Sequence, residues 1–459
     1  MALDWSDHWK YGIIPRFRRD NQALRLSNDI TMAIVSKQFL YSNLVLPTII
    51  AASRLIALKN PKMRDTLAGH KGIFSRLEAQ IKNRDTAPLV WFHVASAGEY
   101  LQALPVMERL MHNHIQCALT ITSVSGYRWA SKQQTQYPKL VVVDYFPLDT
   151  KTNNNRLLDI LKPDAVVFVD ADIWPNLIWE TQKRQIPQFL ISARLSETSR
   201  RISSPLMRRF YGSLYACINY IFTVTEADKK RFLHSCPSHK GISVVGNTRF
   251  DSVLDRKSSL QAPALPEFIK SNTVIVLGSI WPADEQCIFP ALVKALKQFP
   301  DLLIIAAPHE IEPTHINQIQ RVFSDFKPVL FSANKLTPLN RVLIVDVMGL
   351  LSGLYTYADL AYVGGGFSTG VHNTMEPCAM GAATVFGPRF QNATEAIHMV
   401  ETGICFSIKD ESEFESRLMT LLINSNIRKQ AGESAKKYIH TKAGASMSCF
   451  NKINACIAT

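Results

Sequence analysis

Residues 89–110 read LVWFHVASAGEYLQALPVMERL and contain, in order, an apolar run, a turn of small residues and an amphipathic segment. The apolar run ends near Val94, and hydrophobic residues recur with helical spacing after Glu99. An apolar strand that leads through a short turn into a helix is the unit from which parallel sheets are built. We therefore expect the Glu99 carboxylate in the first turn of a helix, where the helix dipole favours negative charge.

The same alternation continues along the chain and divides it into two halves. In the first half, strands are predicted at 88–94, 116–123, 139–145, 164–170, 187–192, 219–224 and 241–245. In the second half, strands are predicted at 273–278, 302–306, 341–346, 359–364 and 383–386. Continuous apolar strands between helices indicate a parallel sheet that is covered on both faces. The sequence thus predicts an α/β protein with two Rossmann-like, doubly wound domains that face a cleft.

The predicted domain boundaries follow from changes in this pattern. Residues 251–268 carry serine, proline and charge and lose the alternation, so they are interpreted as a linker. The other predicted parts are an N-terminal extension (1–38), a membrane-anchor or interface helix with a basic flank (39–64), a first domain (65–250), a second domain (269–440) and a C-terminal helix (441–459). In doubly wound sheets, ligands bind beyond the carboxyl ends of the strands, and the motifs described below lie there.

The composition excludes several classes of protein. The chain has 459 residues, of which 47% are hydrophobic and 19% are charged, as in a folded protein. Its net charge of +13 suits an anionic membrane or an anionic substrate. The basic residues are dispersed and form no nucleic-acid-binding motif, so no nucleic acid is expected as a partner. The eight cysteines show no CxxC spacing, and no metal site is predicted.

Residues 39–58 read FLYSNLVLPTIIAASRLIAL, which is close to the roughly 20 apolar residues of a membrane span. Asn43, Pro47, Ser53 and Arg54 interrupt the apolar run. Basic residues follow at once, which places that flank on the cytoplasmic side of a membrane. The segment is interpreted as a membrane anchor or an interface-lying helix; the alternative is a slightly polar core helix.

Three carboxylates at two strand ends are candidates for chemistry. Asp170 and Asp172 follow the strand predicted at 164–170, and paired acids there suit catalysis or hydroxyl binding. Glu99 is either an ordinary helix-capping acid or a general base. The helix dipole lowers its pKa whereas partial burial raises it, and the sequence leaves both outcomes open.

Arg249 follows a strand in the stretch VVGNTRFD, residues 244–251, and is expected at the domain junction. The planar guanidinium of arginine binds two oxygens of a phosphate or carboxylate. The alternative is a structural pair between Arg249 and Asp251 on the surface.

A glycine-rich loop occurs in AYVGGGFSTGVHNTMEPCAMG, residues 361–381. Glycines let backbone N–H groups approach a phosphate, and the helix that follows supplies further donors. Glu376 in that helix could accept hydrogen bonds from ribose hydroxyls, while a tight structural turn is the alternative for the loop. The loop is neither a P-loop nor a dinucleotide fingerprint, so a redox cofactor is not expected.

These motifs, in this order, resemble the 3-deoxy-D-manno-octulosonic acid (Kdo) transferases of Gram-negative bacteria, which add Kdo to the lipid A precursor. The resemblance covers about residues 39–440. It is carried by His93–Pro105, Trp174-Pro175-Asn176 with its acids, Ala193–Ser196, Gly246–Asp251, Asp346–Gly349 and Gly364–Pro377.

The resemblance implies a GT-B fold and an inverting glycosyltransferase without cofactor or metal. It implies that residues 65–250 bind the lipid A precursor, that residues 269–440 bind CMP-Kdo, and that the protein works at the cytoplasmic face of the inner membrane, on an anionic surface. Glu99 matches the family's catalytic base, and Asp170 and Arg249 match residues that stabilise the transition state. The implied CMP-binding residues are Pro308, His309, Met348, Gly349, Leu350, Asn373, Thr374, Met375 and Glu376, with Gly364, Gly365 and Gly366 as a phosphate loop.

The chain departs from the family pattern mainly at the donor site, which indicates a divergent branch. The departures are Asp170 and Asp172 where glutamate is common, His309 where arginine is frequent, Leu350 in place of glutamate, Ser279-Ile280-Trp281 in place of Ser-Thr-His, and Val371 in place of glycine. Two alternatives therefore stay open. One is another GT-B enzyme, such as a nucleotide-sugar epimerase or a UDP-sugar transferase. The other is a membrane-associated binding protein with a decayed site.

Overall fold

The structure is a computed structural model, and it describes residues 37–82, 84–259, 262–391 and 393–458. The predicted extension at 1–38 therefore lies outside the described residues apart from its last two positions. Two parallel sheets of seven strands each organise the rest of the chain.

The first sheet has the strand order β3-β2-β1-β4-β5-β6-β7. Its strands are β1 (Leu89–Val94), β2 (Gln116–Ile121), β3 (Leu140–Tyr145), β4 (Ala165–Val169), β5 (Gln188–Ala193), β6 (Tyr220–Thr223) and β7 (Ile242–Val244). The order reverses between β1 and β4, so the carboxyl ends of these two strands flank the crevice where doubly wound folds bind ligands.

The second sheet has the order β10-β11-β9-β8-β12-β13-β14. Its strands are β8 (Thr273–Ile280), β9 (Leu302–Pro308), β10 (Val329–Leu330), β11 (Val342–Ile344), β12 (Leu360–Val363), β13 (Ala383–Phe386) and β14 (Phe406–Ser407). Its crevice lies between β8 and β12, directly before the glycine-rich loop.

Helices cover both faces of each sheet. Those of the first half are α1 (Leu46–Lys59), α2 (Pro61–Gly69), α3 (Ile73–Ile81), α4 (Ala97–His112), α5 (Val124–Gln134), α6 (Lys151–Leu161), α7 (Pro175–Lys183), α8 (Pro205–Tyr215), α9 (Glu226–Ser235) and α10 (Arg249–Ser259). Those of the second half are α11 (Pro282–Gln298), α12 (Pro313–Val322), α13 (Leu351–Leu354), α14 (Met375–Met380), α15 (Thr394–Glu401), α16 (Glu411–Ile423), α17 (Ser425–Lys442) and α18 (Ala445–Ile457).

Successive side chains of each central strand enter opposite cores. In β1, Trp91 packs in the cluster on one face of the sheet, while Val90 and Phe92 pack in the cluster on the other face. All six residues of β1 are buried. Because both faces of the strand are dry, its sequence is continuously apolar rather than alternating, and the predicted doubly wound architecture is confirmed.

The chain crosses between the two halves twice. Residues 251–259, expected within a linker, belong to helix α10, because Phe250 and Val253 are buried in a core cluster of the second half. At the C-terminus, helix α18 returns to the first half, where Cys449, Phe450 and Ile453 join the cluster that contains Phe92.

The apolar segment forms a helix that runs without a break from Lys37 to Lys59 and is long and apolar enough to cross a membrane. We call it the anchor helix. Most of its large side chains, such as Phe39, Leu44, Ile49 and Leu58, are exposed. The alternative of a core helix is therefore wrong.

Candidate active site

Glu99 lies in the first turn of α4, directly after the carboxyl end of β1. Ser96 caps the helix and accepts a hydrogen bond of 3.4 Å from the Glu99 N–H. The Glu99 carboxylate turns back and accepts a hydrogen bond from the backbone N–H of Ala95. The side chain is thus held at the end of the sheet by its own turn.

Burial raises the pKa of Glu99 to about 8, although the hydrogen bond from Ala95 opposes the shift. The neighbouring carboxylates of Asp172 and Asp170 raise the pKa further, whereas Arg194 lowers it. Of the two opposing effects that the sequence left open, burial therefore outweighs the hydrogen bond from the turn. A carboxyl group with this pKa accepts a proton near neutral pH, which an ordinary glutamate does poorly.

Asp170 stands at the carboxyl end of β4 with a backbone φ of 56°, in the left-handed region that few residues other than glycine adopt. The Nε atom of Arg194 lies 3.1 Å from both carboxylate oxygens of Asp170, and an Nη atom donates as well. Although burial lowers the pKa of Arg194, Asp170 raises it above its usual value. The acid thus holds a permanently charged guanidinium beside Glu99.

Asp172 forms a second buried pair. One of its oxygens lies 3.0 Å from Nε2 of His93, and Nε1 of Trp174 donates to the same oxygen over 3.3 Å. The other ring nitrogen of His93 lies 2.9 Å from the Thr120 hydroxyl. Burial raises the pKa of Asp172, but the contact with His93 outweighs it and lowers the pKa overall. Both aspartates predicted at this strand end are therefore engaged by a basic side chain.

Arg249 begins helix α10 and reaches the second half of the molecule. Its Nη1 lies 3.4 Å from the carboxylate of Glu395, which is buried. Asp251 instead accepts hydrogen bonds from the Gly444 N–H at 2.9 Å and the Ser446 hydroxyl at 2.7 Å. The alternative of a surface pair between Arg249 and Asp251 is therefore wrong.

Arg194 also reaches across the cleft. Its Nη1 lies 3.5 Å from the hydroxyl of Thr394, the residue before Glu395. Two guanidinium groups from the first half thus meet the start of α15. Asp170, Arg194 and Arg249 all belong to the same half of the molecule as Glu99.

The glycine-rich loop packs against the buried carboxylate of Asp284. Asp284 accepts hydrogen bonds from the N–H groups of Gly365 at 2.8 Å and Phe367 at 3.4 Å, and the Gly364 N–H donates to the Gly278 carbonyl at 2.9 Å. These two N–H groups of Gly364 and Gly365 thus donate within the protein, and the phosphate role expected of Gly364, Gly365 and Gly366 stays a prediction.

Steric contact explains the glycines of this loop. A Cβ atom on Gly364 would lie 2.2 Å from the Ser279 carbonyl oxygen, and one on Gly366 would lie 2.6 Å from the Gly387 backbone. Both contacts are shorter than real Cβ atoms allow. The turn therefore needs glycine for close packing of backbone against backbone.

Four of the predicted CMP-binding residues line one pocket. Pro308, His309, Met348 and Gly349 surround a cavity of about 220 Å³ at the carboxyl ends of β9 and β11. Leu350 does not line it, because its side chain packs against the core on one face of the second sheet. The structure thus brings these four residues together and leaves Leu350 apart.

The remaining predicted residues lie at the start of α14. Asn373 accepts a hydrogen bond of 3.1 Å from the Met375 N–H, and the buried Thr374 hydroxyl has no partner among the described residues. Glu376 accepts hydrogen bonds from the Ser352 hydroxyl at 2.8 Å and from Arg256 at 3.4 Å. Its carboxylate is thus already engaged within the protein.

Two of the departures from the family pattern form a stack with a third ring. Nε1 of Trp281 donates to Nε2 of His372 over 2.9 Å, so these rings lie side by side, 11° apart in plane. The ring of His309 stacks on both, at 4.3 Å from Trp281 and 4.7 Å from His372. Burial and the nearby His309 lower the pKa of His372, which keeps its Nε2 an acceptor. His309 therefore enters the donor pocket as a ring held by stacking rather than as a flexible arginine.

The sequence interpretation assigned no role to four residues of this site: His93, Arg194, Asp284 and Glu395. Each lies at or just beyond the carboxyl end of a strand or at the start of a helix, where ligand-binding residues of doubly wound folds concentrate. This position at a strand end or helix start is the sequence feature that could have identified them. Which acid pairs with which base depends on contacts between distant strands, and no spacing along the chain encodes it.

Comparison with known proteins agrees with this geometry. The family model described as 3-deoxy-D-manno-octulosonic-acid transferase (kdotransferase) matches residues 71–252. A 3-deoxy-D-manno-octulosonic acid transferase of Rickettsia bellii is 27% identical over 365 residues, which cover 78% of this chain and 85% of the relative. A bifunctional glycosyltransferase/methyltransferase of Fusobacterium nucleatum is 24% identical over 84% of this chain, and the chain spans 65% of its length.

Among solved structures, the UDP-GlcNAc 2-epimerase from Neisseria meningitidis matches with a TM-score of 0.54 and 16% identity, over 77% of this chain and 99% of that one. At this identity the likeness concerns the fold alone, and it agrees with the predicted GT-B arrangement. In a family model over residues 71–252 and in relatives that cover most of its length, the chain is thus similar to the 3-deoxy-D-manno-octulosonic acid transferases.

Proposed function

We propose that this protein is an inverting glycosyltransferase that moves Kdo from CMP-Kdo to a lipid A precursor in the biosynthesis of the lipopolysaccharide core. The observation that carries the proposal is Glu99, a carboxyl group with a pKa near 8 at the strand end that faces the second domain. Similarity to the 3-deoxy-D-manno-octulosonic acid transferases supports the reaction class.

Glu99 is the general base of the proposed reaction. Its carboxylate takes the proton of the acceptor hydroxyl while the hydroxyl oxygen forms a bond to the anomeric carbon of Kdo. The bond between that carbon and the CMP phosphate oxygen breaks on the opposite face, so the configuration inverts. The proton ends on Glu99, and the electron pair leaves with CMP.

Two arginines balance the negative charge of the donor. Arg249 and Arg194 both approach the start of α15, and guanidinium groups suit the oxygens of the phosphate and of the sugar carboxylate. Asp170 acts by holding Arg194 in place. The stabilising role expected of Asp170 is therefore best explained through its partner.

The donor nucleotide is proposed to bind in the cavity lined by Pro308, His309, Met348 and Gly349. With the glycine-loop donors occupied by Asp284, the phosphate is left to other groups. The buried hydroxyl of Thr374 and the buried Nε of Arg249 have no hydrogen-bond partner among the described residues, which makes them suitable donors. Glu376 keeps its proposed role at the ribose only if Ser352 or Arg256 releases it.

The anchor helix supports a site at the cytoplasmic face of the inner membrane. Its first turns dock on the first domain through polar contacts: Gln38 donates to Glu180 at 2.7 Å, Ser42 to Asn176 at 2.9 Å and Tyr41 to Asp149 at 3.1 Å. The 14 residues of α1 that remain extend about 21 Å, less than the roughly 30 Å of a hydrocarbon core. We therefore propose that the helix lies in the membrane interface rather than spanning the bilayer.

Incubation of the purified full-length protein with CMP-Kdo and a tetra-acylated lipid A precursor tests the activity. Mass spectrometry of the lipid is expected to show the addition of one or more Kdo units and thereby to count them. The Glu99→Gln variant, which keeps the shape of the side chain but cannot accept the proton, is expected to lose at least about 100-fold in rate.

Parallel reactions with UDP-sugars separate the alternatives. Transfer or epimerisation of a UDP-sugar, with none of CMP-Kdo, would replace the proposal by another GT-B activity. Absence of product with every donor would favour a binding protein with a decayed site. The intact set of Glu99, Arg249 and the Asp170–Arg194 pair argues against the second alternative.

A further inference from the structure

A basic segment free of acidic residues links the catalytic cleft to the anchor helix. Residues 198–211 read TSRRISSPLMRRFY, and we call them the basic arm. It begins four residues after Arg194 and continues into helix α8. Glu197, the acid that precedes it, is paired with Arg231 at 2.7 Å.

Leu206 in the first turn of α8 is exposed to solvent by 77%, more than any other large hydrophobic residue among those described. Phe210 stands one helical turn further on, so the two side chains share a face of the helix. The ring of Phe210 lies 6.3 Å from that of Tyr41 in the anchor helix. Leu206 therefore stands exposed on the face of α8 that contacts the anchor helix one turn further on, through Phe210.

Four arginines lie within six residues of this leucine along the basic arm. Arg200 and Arg209 are exposed. Arg201 and Arg208 are half-buried, the first over the ring of Tyr211 and the second 2.6 Å from His234. An exposed apolar residue between exposed arginines matches the interface of an anionic bilayer, where the apolar group enters and the guanidinium groups bind phosphates.

We infer that the basic arm is a second membrane contact, in which Leu206 inserts at headgroup level and Arg200 and Arg209 bind anionic headgroups. This inference rests on the proposed membrane association of the anchor helix. The two contacts lie on adjoining helices and hold the first domain to the bilayer at two points. Together they bring the cleft entrance beside Arg194 to the surface that carries the lipid acceptor.

The test measures binding of the full-length protein to phosphatidylcholine vesicles with and without phosphatidylglycerol. Each arginine is expected to contribute about fivefold to binding of the anionic vesicles. For Arg200→Gln/Arg209→Gln, we therefore expect about 30-fold weaker binding to these vesicles and little change on the neutral ones. For Leu206→Asn, we expect about tenfold weaker binding to both. Lys429→Gln/Lys437→Gln, which removes two exposed charges from α17, is the matched control and should bind like the unchanged protein.

Transfer of Kdo in neutral detergent, measured on the same proteins, separates this inference from the proposed function. Unchanged rates there, with weaker vesicle binding, support the membrane contact and show that the variants fold. If the arm and control variants lose equal affinity for the anionic vesicles, the net charge of the protein explains the binding and the inference is overturned. A raised KM for the acceptor in detergent would overturn it as well, because the arm would then bind the substrate's own phosphates.

Discussion

At the scale of single residues, the site is arranged around the unusual basicity of Glu99. Its turn supplies an N–H donor, which would make it an ordinary helix-capping acid, yet burial beside Asp170 and Asp172 raises its pKa to about 8. The nearby acids are themselves paired with Arg194 and His93. The two aspartates are thus engaged by their partners, whereas the carboxyl group of Glu99 can exchange a proton.

The pH dependence of the reaction follows from this pKa. Only the ionised form of Glu99 accepts a proton, so kcat/KM should rise about tenfold per pH unit below about 8 and level off above it. Initial rates measured over about four pH units, from about pH 5.5 to about pH 9.5, check this. A rate that is flat from about pH 5 upward would contradict the assignment, because an ordinary glutamate is fully ionised there.

Replacement of Asp170 by asparagine should weaken the reaction and shift its pH profile together. Asparagine tolerates the left-handed backbone, so the turn is kept, but Arg194 loses its charged partner. We expect kcat/KM to fall by about 100-fold. The acid limb of the profile should move to lower pH, because one of the charges that raise the pKa of Glu99 is gone.

Asp159→Asn is the control for that variant, since Asp159 pairs with Arg184 on the exposed surface. It should leave both the rate and the profile unchanged. A loss of rate in Asp170→Asn while the low-pH part of its rate profile stays in place would contradict the proposed electrostatic effect of Asp170 on the pKa of Glu99.

At the scale of helices and strands, the sequence predicted the residue bounds of an element well wherever that element is buried. All twelve predicted strands are present, within about two residues at most ends, because dry strands are continuously apolar. The two-residue strands β10 and β14 were missed, since their residues are only partly buried and too few for a pattern. No sequence pattern predicted the break between α16 and α17, which falls where Asn424 caps the second helix.

The contacts of the glycine loop lead to a prediction about stability. Gly364→Ala should destabilise the protein by about 1–3 kcal/mol or more, because its Cβ would lie 2.2 Å from a backbone carbonyl that cannot move aside. Denaturant unfolding measures the change. Gly98→Ala in α4 is the control: its nearest contact would be 3.7 Å, so stability should be kept or increased by up to about 1 kcal/mol.

At the scale of the whole molecule, the C-terminal helix belongs to the half of the protein where the chain began. The sequence predicted a helix there but not its location, because no local pattern reveals which sheet a terminal helix will cover. The same applies to the candidate site: strand ends identified Glu99, Asp170 and Arg249, but the pairings with Arg194, His93 and Glu395 arise only from packing. The contact of the glycine loop with Asp284 was not predicted for the same reason, since Asp284 reaches the loop from another helix.

Weakening the contact of α18 should therefore affect the first domain. Ile453 is fully buried among residues of β1 and α4, and Ile453→Ala should cost about 2–4 kcal/mol in unfolding free energy. Met447→Ala on the same helix removes a side chain that is half exposed and should change stability by less than about 0.5 kcal/mol. Equal effects of the two variants would show that α18 does not support the first domain.

The chain passes between the halves at the start of α10 and again before α18, and these two segments are hydrogen-bonded to each other. Asp251, at the start of one, accepts hydrogen bonds from Gly444 and Ser446 at the other. Two separate connections would define one hinge axis and restrict the two halves to rotation about it. Because the connections are joined at one point, we expect them to act as a single pivot about which the halves twist as well as open. Rotation about this pivot is expected to move the cavity lined by His309 relative to Glu99, and the polar links of Arg194 and Arg249 to α15 are expected to limit it.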